Sequence, residues 1–156
     1  MLWKEPHINK VYEALSAIAD KRISLVSKTE ATLMSSSGKK SYTISFDPKT
    51  GAMMSNDNSA YWTDSLSYPM IAFLMMTNRL AYDKKYLIYL VDIKWKDINT
   101  KFKDDFGKST EYVLSDLKSK NYPVDEIKSD VEKIYSLVCD LKIEQFGPKI
   151  KPSTIY

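Results

Sequence analysis

The chain has 156 residues, a net charge of +3, 44% apolar residues and 28% charged residues. This length favours one domain with a substantial core, and the composition is ordinary for a soluble globular protein. The charge is too small to indicate a dedicated binder of duplex nucleic acid, because such proteins concentrate basic residues on one face. Any binding of nucleic acid is therefore expected to be weak and sensitive to salt.

The chain also lacks the usual signs of export or membrane insertion. The first ten residues, MLWKEPHINK, contain no apolar stretch of signal-peptide length. No apolar run reaches the roughly 18 residues that indicate a membrane-spanning helix. The single cysteine, Cys139, excludes a disulfide within the chain and is typical of a reducing compartment. These features predict a cytoplasmic protein with no membrane partner.

The first predicted element is a helix over residues 7–21, where one apolar stripe recurs at helical spacing: Ile8, Val11, Leu15 and Ile18. Four short runs between residues 23 and 56 then predict an antiparallel meander. In the third run, Tyr42, Ile44 and Phe46 alternate with polar residues, which is the period of a half-buried strand. Turn residues separate the runs, with Gly38 in one turn and the sequence DPKTG in the next.

Two further apolar segments follow the meander. A helix is predicted over residues 68–80, with Pro69 in its first turn and apolar residues on nearly every face. Residues 84–93 are also predicted to be helical, although the run YLIYLV within them fits a strand as well.

The C-terminal half is predicted to be helical. An apolar stripe runs from Ile98 to Leu117 and is expected to break near Gly107. A longer helix begins after Pro123 and is expected to end at the pair Gly147–Pro148, because this pair is a strong stop signal.

Together these elements predict an α+β fold with an N-terminal helix, a small antiparallel β-meander and several packed helices. Residues 1–146 are assigned to a single domain, and residues 147–156 to an extended C-terminal tail. The core is expected to contain large apolar side chains from three segments: Ile44, Phe46, Ile71, Leu74, Ile134, Val138 and Leu141.

Several chemistries are excluded by the residues that the chain lacks. A structural zinc site needs about four Cys, His or carboxylate ligands, and the chain has one histidine, His7, and one cysteine. A serine or cysteine nucleophile needs a base within hydrogen-bond reach, and the single histidine lies beside Pro6 near the terminus, which disfavours such a pair. The four glycines lie too far apart to form a phosphate-binding loop. No metal, cofactor or catalytic residue is predicted.

The candidate binding site begins in the polar stretch between the meander and the apolar helix. Asn56, Asp57 and Asn58 are predicted to bond nearby backbone groups, as side chains of this type do where a strand turns into a helix. This structural role accounts for the three residues, and no bound ligand is needed to explain them.

Two aromatic residues, Tyr61 and Trp62, follow in the same predicted loop. Such side chains offer a large contact area together with a polar group, and they are enriched at interfaces. Lys39 and Lys40, in a neighbouring turn, are expected to supply a basic rim. These residues predict a surface that docks a partner protein or stacks an unpaired base, unless the two rings only cover the edge of the sheet.

The order of strands, polar loop and helix over residues 41–75 resembles a SWIM-type module. That family binds one zinc ion through a Cys-x-Cys pair after its hairpin and a Cys-x-His pair at the start of its helix. The corresponding positions here are Ser55, Asp57, Tyr68 and Met70. The resemblance implies a metal-free relative in which the last two side chains pack where zinc would lie. SWIM-type modules are associated with binding of DNA and protein, and the whole chain is also similar to small archaeal proteins of unknown role.

The sequence favours a non-enzymatic binding protein or accessory subunit with a protein partner, in an assembly that handles nucleic acid. One alternative is the small subunit of an archaeal CRISPR interference complex, by analogy of size and class. The other is an enzyme that uses carboxylate and tyrosine chemistry in a pocket. A pocket with a strongly perturbed carboxyl group would favour the enzyme, whereas an aromatic patch with a basic rim would favour binding.

Overall fold

The computed structural model describes residues 1–152 and has an N-terminal helix, a four-stranded antiparallel sheet and several packed helices. The predicted α+β class is therefore confirmed. A 3₁₀ helix covers Lys84–Tyr89, and the other helices are α1 (Asn9–Ala19), α2 (Asn58–Thr63), α3 (Tyr68–Met76), α4 (Trp95–Lys101), α5 (Phe106–Ser119) and α6 (Val124–Asp140). The strands are β1 (Ile23–Leu25), β2 (Glu30–Met34), β3 (Ser41–Phe46) and β4 (Met53–Ser55).

The sheet has the order β1-β2-β3-β4, and each strand is antiparallel to the next. The predicted meander is confirmed. In β3, Tyr42 and Ile44 are buried while Ser41 and Thr43 are exposed, so the side chains alternate as the sequence period requires. The sheet packs against α3, which in turn packs against α1. The core therefore lies between the sheet and the first long helix.

The apolar helix α3 is the central element of this core, with every residue from Pro69 to Met75 buried. It ends at Met76, earlier than the predicted residue 80. Asn78 has a left-handed conformation with φ of 60°, and the N–H of Arg79 donates to the carbonyl of Leu74 at 2.8 Å. This arrangement ends the helix because a left-handed residue just beyond the last turn redirects the chain.

Most of the predicted core residues are buried, namely Ile44, Ile71, Leu74, Ile134 and Val138. Phe46 and Leu141 are only partly buried and pack against the core from its margin. The outer face of the Phe46 ring is covered by the guanidinium group of Arg79, whose carbon lies 4.0 Å from the ring centroid.

Replacing Leu74 by alanine should lower the free energy of unfolding by about 2–5 kcal/mol, the usual cost of truncating a large buried aliphatic side chain. Leu74 is 3% exposed and lies among the buried residues of α3. Denaturant unfolding measures the loss. Leu137→Ala is the matched control, because Leu137 is 45% exposed on α6 and should change little. A loss below about 1 kcal/mol for Leu74→Ala would mean that α3 is not central.

The predicted break near Gly107 is present. It lies at residues 102–105, and Gly107 itself lies in the first turn of α5. Lys103 and Asp104 both have left-handed backbone conformations, with φ of 52° and 61°. The side chain of Asp105 then caps α5 by accepting a hydrogen bond from the N–H of Lys108 at 3.2 Å. The predicted helix over residues 84–93 is present only as the shorter 3₁₀ helix.

The predicted end of the last helix at Gly147–Pro148 is wrong, because α6 ends at Asp140. The residues beyond it leave the helix to pair with distant backbone. Glu144 accepts a hydrogen bond from the N–H of Met53 at 3.0 Å, and the N–H of Trp3 donates to Ile143 at 2.9 Å. The C-terminal segment thus covers the free edge of β4, where unpaired backbone groups would otherwise face solvent.

The predicted C-terminal tail is described only as far as residue 152, and residues 153–156 lie outside the described part. Lys149 bonds to the side chain of Asp64 at 2.9 Å and to the backbone carbonyl of Tyr61 at 3.0 Å. Over residues 1–152, no helix is both long and apolar enough to cross a bilayer.

A row of hydrogen bonds joins α1 to α4 and α5. Asn9 donates to Thr110, the amide of Asn99 donates to Glu13, and the indole of Trp95 donates to Ser16 at 2.9 Å. The polar residues of α1 in this row lie three or four positions apart, so they share one face of the helix. These hydrogen bonds hold α4 and α5 beside the start of α1, and a cleft opens next to them.

Candidate functional site

A cleft of about 480 Å³ opens between the start of α1, the loop and helix around α2, and the junction of α4 with α5. This volume is in the range of small-molecule and peptide sites. The turn between β2 and β3 closes one end, where the hydroxyl of Ser36 accepts a hydrogen bond from the N–H of Lys96 at 2.9 Å. Tyr42 and Tyr68 also line the cleft.

The floor of the cleft contains an ion pair that is largely removed from solvent. The ammonium group of Lys10 lies 2.7 Å from Oε2 of Glu13, and the two side chains are 11% and 6% exposed. The other carboxylate oxygen, Oε1, accepts a hydrogen bond from Nδ2 of Asn99 at 3.3 Å. Two polar side chains, one from α1 and one from α4, therefore converge on one carboxylate.

Two rings stand beside this ion pair. The ammonium nitrogen of Lys10 lies 3.9 Å from the ring centroid of Phe106, within the range of a cation–π contact. The ring of His7 lies 5.8 Å from that of Phe106. The Nδ1 atom of His7 accepts a hydrogen bond from the N–H of Asn9 at 3.0 Å, so the neutral ring carries its proton on Nε2.

Burial lowers the pKa of His7 from its usual value, and the positive charge of Lys10 lowers it further. His7 therefore loses its proton more readily in the folded than in the unfolded state. Stability that depends on His7 should rise as the pH increases through the interval below 6.5, where the unfolded chain holds the proton and the folded chain does not.

An NMR titration of the single histidine should give a midpoint below 6.5 in the folded protein. Lys10→Met should raise this midpoint, because it removes a neighbouring positive charge. Lys101→Met is the matched control, since Lys101 contacts Phe102 and Tyr112 rather than His7. A midpoint that does not respond to Lys10→Met would contradict the placement of Lys10 beside the ring.

Tyr68 forms part of the wall and stays a neutral phenol. Its pKa is raised, chiefly because burial disfavours the charged phenolate and also because the carboxylate of Glu13 is near. Tyr68 can therefore donate a hydrogen bond, but it does not supply a phenolate base at ordinary pH.

Asp57 attaches α2 to the rest of the fold. It is buried, and its Oδ1 caps α2 by accepting a hydrogen bond from the N–H of Ala60 at 2.9 Å. Its Oδ2 accepts from the hydroxyls of Ser55 at 2.6 Å and Ser67 at 2.5 Å. The prediction that Asp57 organises the connection through nearby groups agrees with this geometry.

Asn56 and Asn58, the other two polar residues of this stretch, make different contacts from those of Asp57. Asn56 does not bond a local group, since its Oδ1 accepts from the N–H of Thr43 on β3 at 2.8 Å. Asn58 is half-buried and lines the cleft. The prediction of a simple loop is wrong here, because α2 forms within it once Asp57 provides the cap.

Four positions were compared above with the ligands of a SWIM-type module. Ser55 and Asp57 are hydrogen-bonded to each other, and Met70 is fully buried in α3. Among residues 1–152, no group of three or more His, Cys, Asp or Glu side chains is placed to hold a metal ion.

Tyr61 and Trp62 lie in α2 rather than in a loop. Trp62 is 65% exposed and lines the mouth of the cleft, whereas Tyr61 is half-buried. Their rings meet edge to face, with centroids 4.7 Å apart and planes at 90°. Lys149 lies 5.6 Å from the Tyr61 ring centroid. We call this pair of rings the aromatic edge.

Lys39 and Lys40, the predicted basic rim, are not among the residues that line the cleft that Trp62 borders. Both lie in the turn between β2 and β3, where the serines rather than the lysines face the cleft. The basic groups that do line it are Lys10 and Lys96, and Lys149 contacts the aromatic edge from the C-terminal segment.

Sequence reasoning missed the floor of the cleft, although a signal was present. Asn9, Glu13, Ser16 and Asp20 recur three or four positions apart and form a polar stripe beside the apolar one. A polar stripe of this kind on a buried helix indicates a hydrogen-bonded contact with another element. His7 was considered only as a metal ligand or as a base for a nucleophile, and not as part of a binding cleft.

The meander, the covering helices and the aromatic-edged cleft define an α+β protein with a candidate binding site. The chain belongs to the family described as Uncharacterised conserved protein UCP014422, whose model matches residues 3–144. No curated protein and no solved structure matches the chain significantly.

Proposed function

We propose that the chain is a non-enzymatic binding protein, an accessory subunit that holds a segment of a partner protein in the cleft and against the aromatic edge. The observation that carries this proposal is the exposure of Trp62, 65% of whose surface faces solvent at the mouth of the cleft. Tryptophan is among the residues that dominate the energy of protein interfaces, because it buries a large area on contact.

The position of Trp62 is held by α2, which supports a role in recognition. The cap and the two serine bonds of Asp57 fix the start of this helix, and the edge-to-face contact with Tyr61 restrains the indole ring. A side chain that is already held in place loses less conformational entropy on binding. The aromatic edge is thus a preorganised contact surface.

Charge favours a protein segment over the phosphate backbone of a nucleic acid. The cleft contains the carboxylates of Glu13, Asp57 and Asp104 beside the two amines of Lys10 and Lys96. Lys10 is already paired with Glu13. A chain of phosphates would therefore meet as much repulsion as attraction. The resemblance of residues 41–75 to a SWIM-type module supports either kind of binding.

The enzymatic alternative has weaker support from the pattern of pKa shifts. Asp130 on α6 has a carboxyl group with a raised pKa, because burial and the charge of Asp83 disfavour ionisation. Asp130 lies in a separate depression with Asp83 and not in the cleft. The cleft instead combines an exposed indole ring with paired charges, which suits recognition.

The test compares the binding of an identified partner to the wild type and to Trp62→Ala. A partner captured from the source cells is purified, and its dissociation constant is measured directly. Trp62→Ala should weaken binding by about thirtyfold or more, the range of an interface hot spot, without lowering the melting temperature. Tyr112→Ala is the matched control, because Tyr112 is an exposed aromatic residue on α5 that does not line the cleft.

Three results would contradict the proposal. Equal losses for both variants would show that the aromatic edge is not the contact surface. Tight binding of single-stranded nucleic acid at physiological salt would show that the ligand is a nucleic acid and not a protein, which is what the alternative of a CRISPR small subunit requires. A large loss of stability in Trp62→Ala would show that the ring belongs to the core.

A further inference from the structure

The short helix α2 carries Trp62, and its two ends are held by different contacts. A helix of six residues is too short to be stable by itself, so its position depends on what holds its ends. The first end is capped by the side chain of Asp57. The last end leads into Asp64, which has a left-handed conformation with φ of 54°. The contacts at this second end therefore help to decide where Trp62 lies.

Lys149 provides the main polar contact at the last turn of α2. Its ammonium group donates to the backbone carbonyl of Tyr61 at 3.0 Å and to the carboxylate of Asp64 at 2.9 Å. Carbonyl groups in the last turn of a helix have no partner within the helix, and a positive charge there also interacts favourably with the helix dipole. The hydrogen bond from Lys149 lowers the pKa of the Asp64 carboxyl group.

Asp64 links this end of α2 to the rest of the fold. Its backbone carbonyl accepts a hydrogen bond from the N–H of Lys4 at 2.8 Å, and its carboxylate accepts one from Nε2 of Gln145 at 3.4 Å. Gln145 and Lys149 both belong to the C-terminal segment that covers the edge of β4. Between them lies Gly147, whose left-handed φ of 69° glycine adopts without strain. The C-terminal segment therefore extends from the sheet edge to α2 and holds its last turn.

The ring of Tyr61 connects this contact to Trp62. The ammonium nitrogen of Lys149 lies 5.6 Å from the centroid of the Tyr61 ring, within the range of a cation–π contact. The Tyr61 ring in turn meets the Trp62 ring edge to face, with centroids 4.7 Å apart. Because 65% of Trp62 faces solvent, few other contacts can fix its indole ring. Lys149 therefore acts on Trp62 through the backbone and the ring of Tyr61.

We infer that Lys149 is a positioning residue for the aromatic edge, and that the C-terminal segment holds Trp62 ready for the partner segment. An ion pair whose side chains are 36% and 20% exposed contributes little to stability. The effect of Lys149 should therefore appear in binding rather than in unfolding, because a ring that is already held in place loses less entropy on contact. This inference rests on the proposed function and adds the residue that keeps its main contact in place.

The position of Trp62 can be measured by NMR without a partner. The chain has three tryptophans, and the indole N–H signal that is absent from Trp62→Ala belongs to Trp62. Lys149→Met should shift this signal and increase its fast motion, because the Tyr61 ring loses its restraint. The pKa of Asp64 should rise toward its usual value of 3.8 in the same variant, because the hydrogen bond that lowers it is gone.

Two further variants serve as controls. Lys149→Arg should preserve the Trp62 signal, because arginine keeps the positive charge and the N–H donors. Lys142→Met is the matched control, because Lys142 lies on the same segment and bonds to the carbonyl of Cys139 at 3.4 Å. It removes the same charge from the segment and should leave the Trp62 signal unchanged.

The binding experiment is a double-mutant cycle with the purified partner protein. Lys149→Met should weaken binding by about threefold to tenfold, which corresponds to the entropy of ordering one or two side chains at an interface. In a chain that already carries Trp62→Ala, the same change should alter affinity by less than about twofold, because a residue that acts through Trp62 has no effect without it. The melting temperature of Lys149→Met should fall by no more than about 3 °C.

Other outcomes overturn the inference. An unchanged Trp62 signal in Lys149→Met would show that Lys149 does not hold the aromatic edge. Equal losses of affinity with and without Trp62 would show that Lys149 contacts the partner directly, and equal losses for Lys149→Arg and Lys149→Met would show that its charge has no part in the effect. If Trp62→Ala itself leaves the affinity unchanged, the proposed function fails, and the NMR signal of the free protein still decides whether Lys149 holds the ring.

Discussion

Replacing Trp95 by alanine should lower the free energy of unfolding by about 3–5 kcal/mol, the range for removing a large buried aromatic side chain. Trp95 begins α4 and is 1% exposed. Its indole N–H donates to the hydroxyl of Ser16 at 2.9 Å, and its ring lies 6.3 Å from that of Tyr12. The substitution removes packing and also leaves the hydroxyl of Ser16 without its partner.

The matched control for this experiment is Trp62→Ala, which makes the same chemical change at a position that is 65% exposed. The control should lose less than about 1 kcal/mol, as most surface substitutions do. Denaturant unfolding of both variants gives the comparison. Similar losses at the two positions would contradict both the burial of Trp95 and the assignment of Trp62 to a contact surface.

The meander was predictable because its signals are local. The alternation of Tyr42, Ile44 and Phe46, and the turn residues on either side, depend only on neighbouring positions. Apolar periodicity likewise located α1, α3 and α6. Elements defined by their own residues can be predicted from one sequence, because no distant partner is needed to form them.

The ends of the helices were less predictable, because distant residues determine them. Gly147 and Pro148 carry a strong stop signal, yet α6 ends at Asp140 because Ile143 and Glu144 pair with backbone at residues 3 and 53. The break before α5 follows from left-handed conformations at Lys103 and Asp104, which sequence alone rarely indicates for lysine.

The candidate site was predictable in part. Tyr61 and Trp62 were predicted as candidates for exposure because they lie in a polar stretch, and Trp62 is indeed exposed while Tyr61 is half-buried. The floor was missed, because Lys10, Glu13 and Asn99 are ordinary surface residue types that burial alone makes informative. Asn99 meets Glu13 across a separation of 86 positions, and no local pattern predicts such a contact.

The ion pair at the floor gives the second large expected effect. Glu13→Leu should lower the free energy of unfolding by about 3–5 kcal/mol, because it leaves the ammonium group of Lys10 in a largely dehydrated place without its partner. The amide of Asn99 loses its acceptor at the same time. Urea unfolding at neutral pH measures the loss.

Adding Lys10→Met to Glu13→Leu should recover most of this stability, since a buried pair replaced by apolar residues of similar volume often costs nothing. Lys120→Met with Asp116→Leu is the matched control pair. This exposed pair joins α5 to the residue that follows its last turn, with a separation of 3.1 Å, and should show a coupling below about 1 kcal/mol.

Recovery of stability in the double variant would show that the fold does not need the ion pair of Lys10 and Glu13. A pair that apolar residues can replace without loss is not retained for stability, and its place in the lining of the cleft that Trp62 borders then favours a role in recognition. If the double variant is as unstable as the sum of its single changes, the two charges act independently, and the interaction of Lys10 with Glu13 described above is wrong.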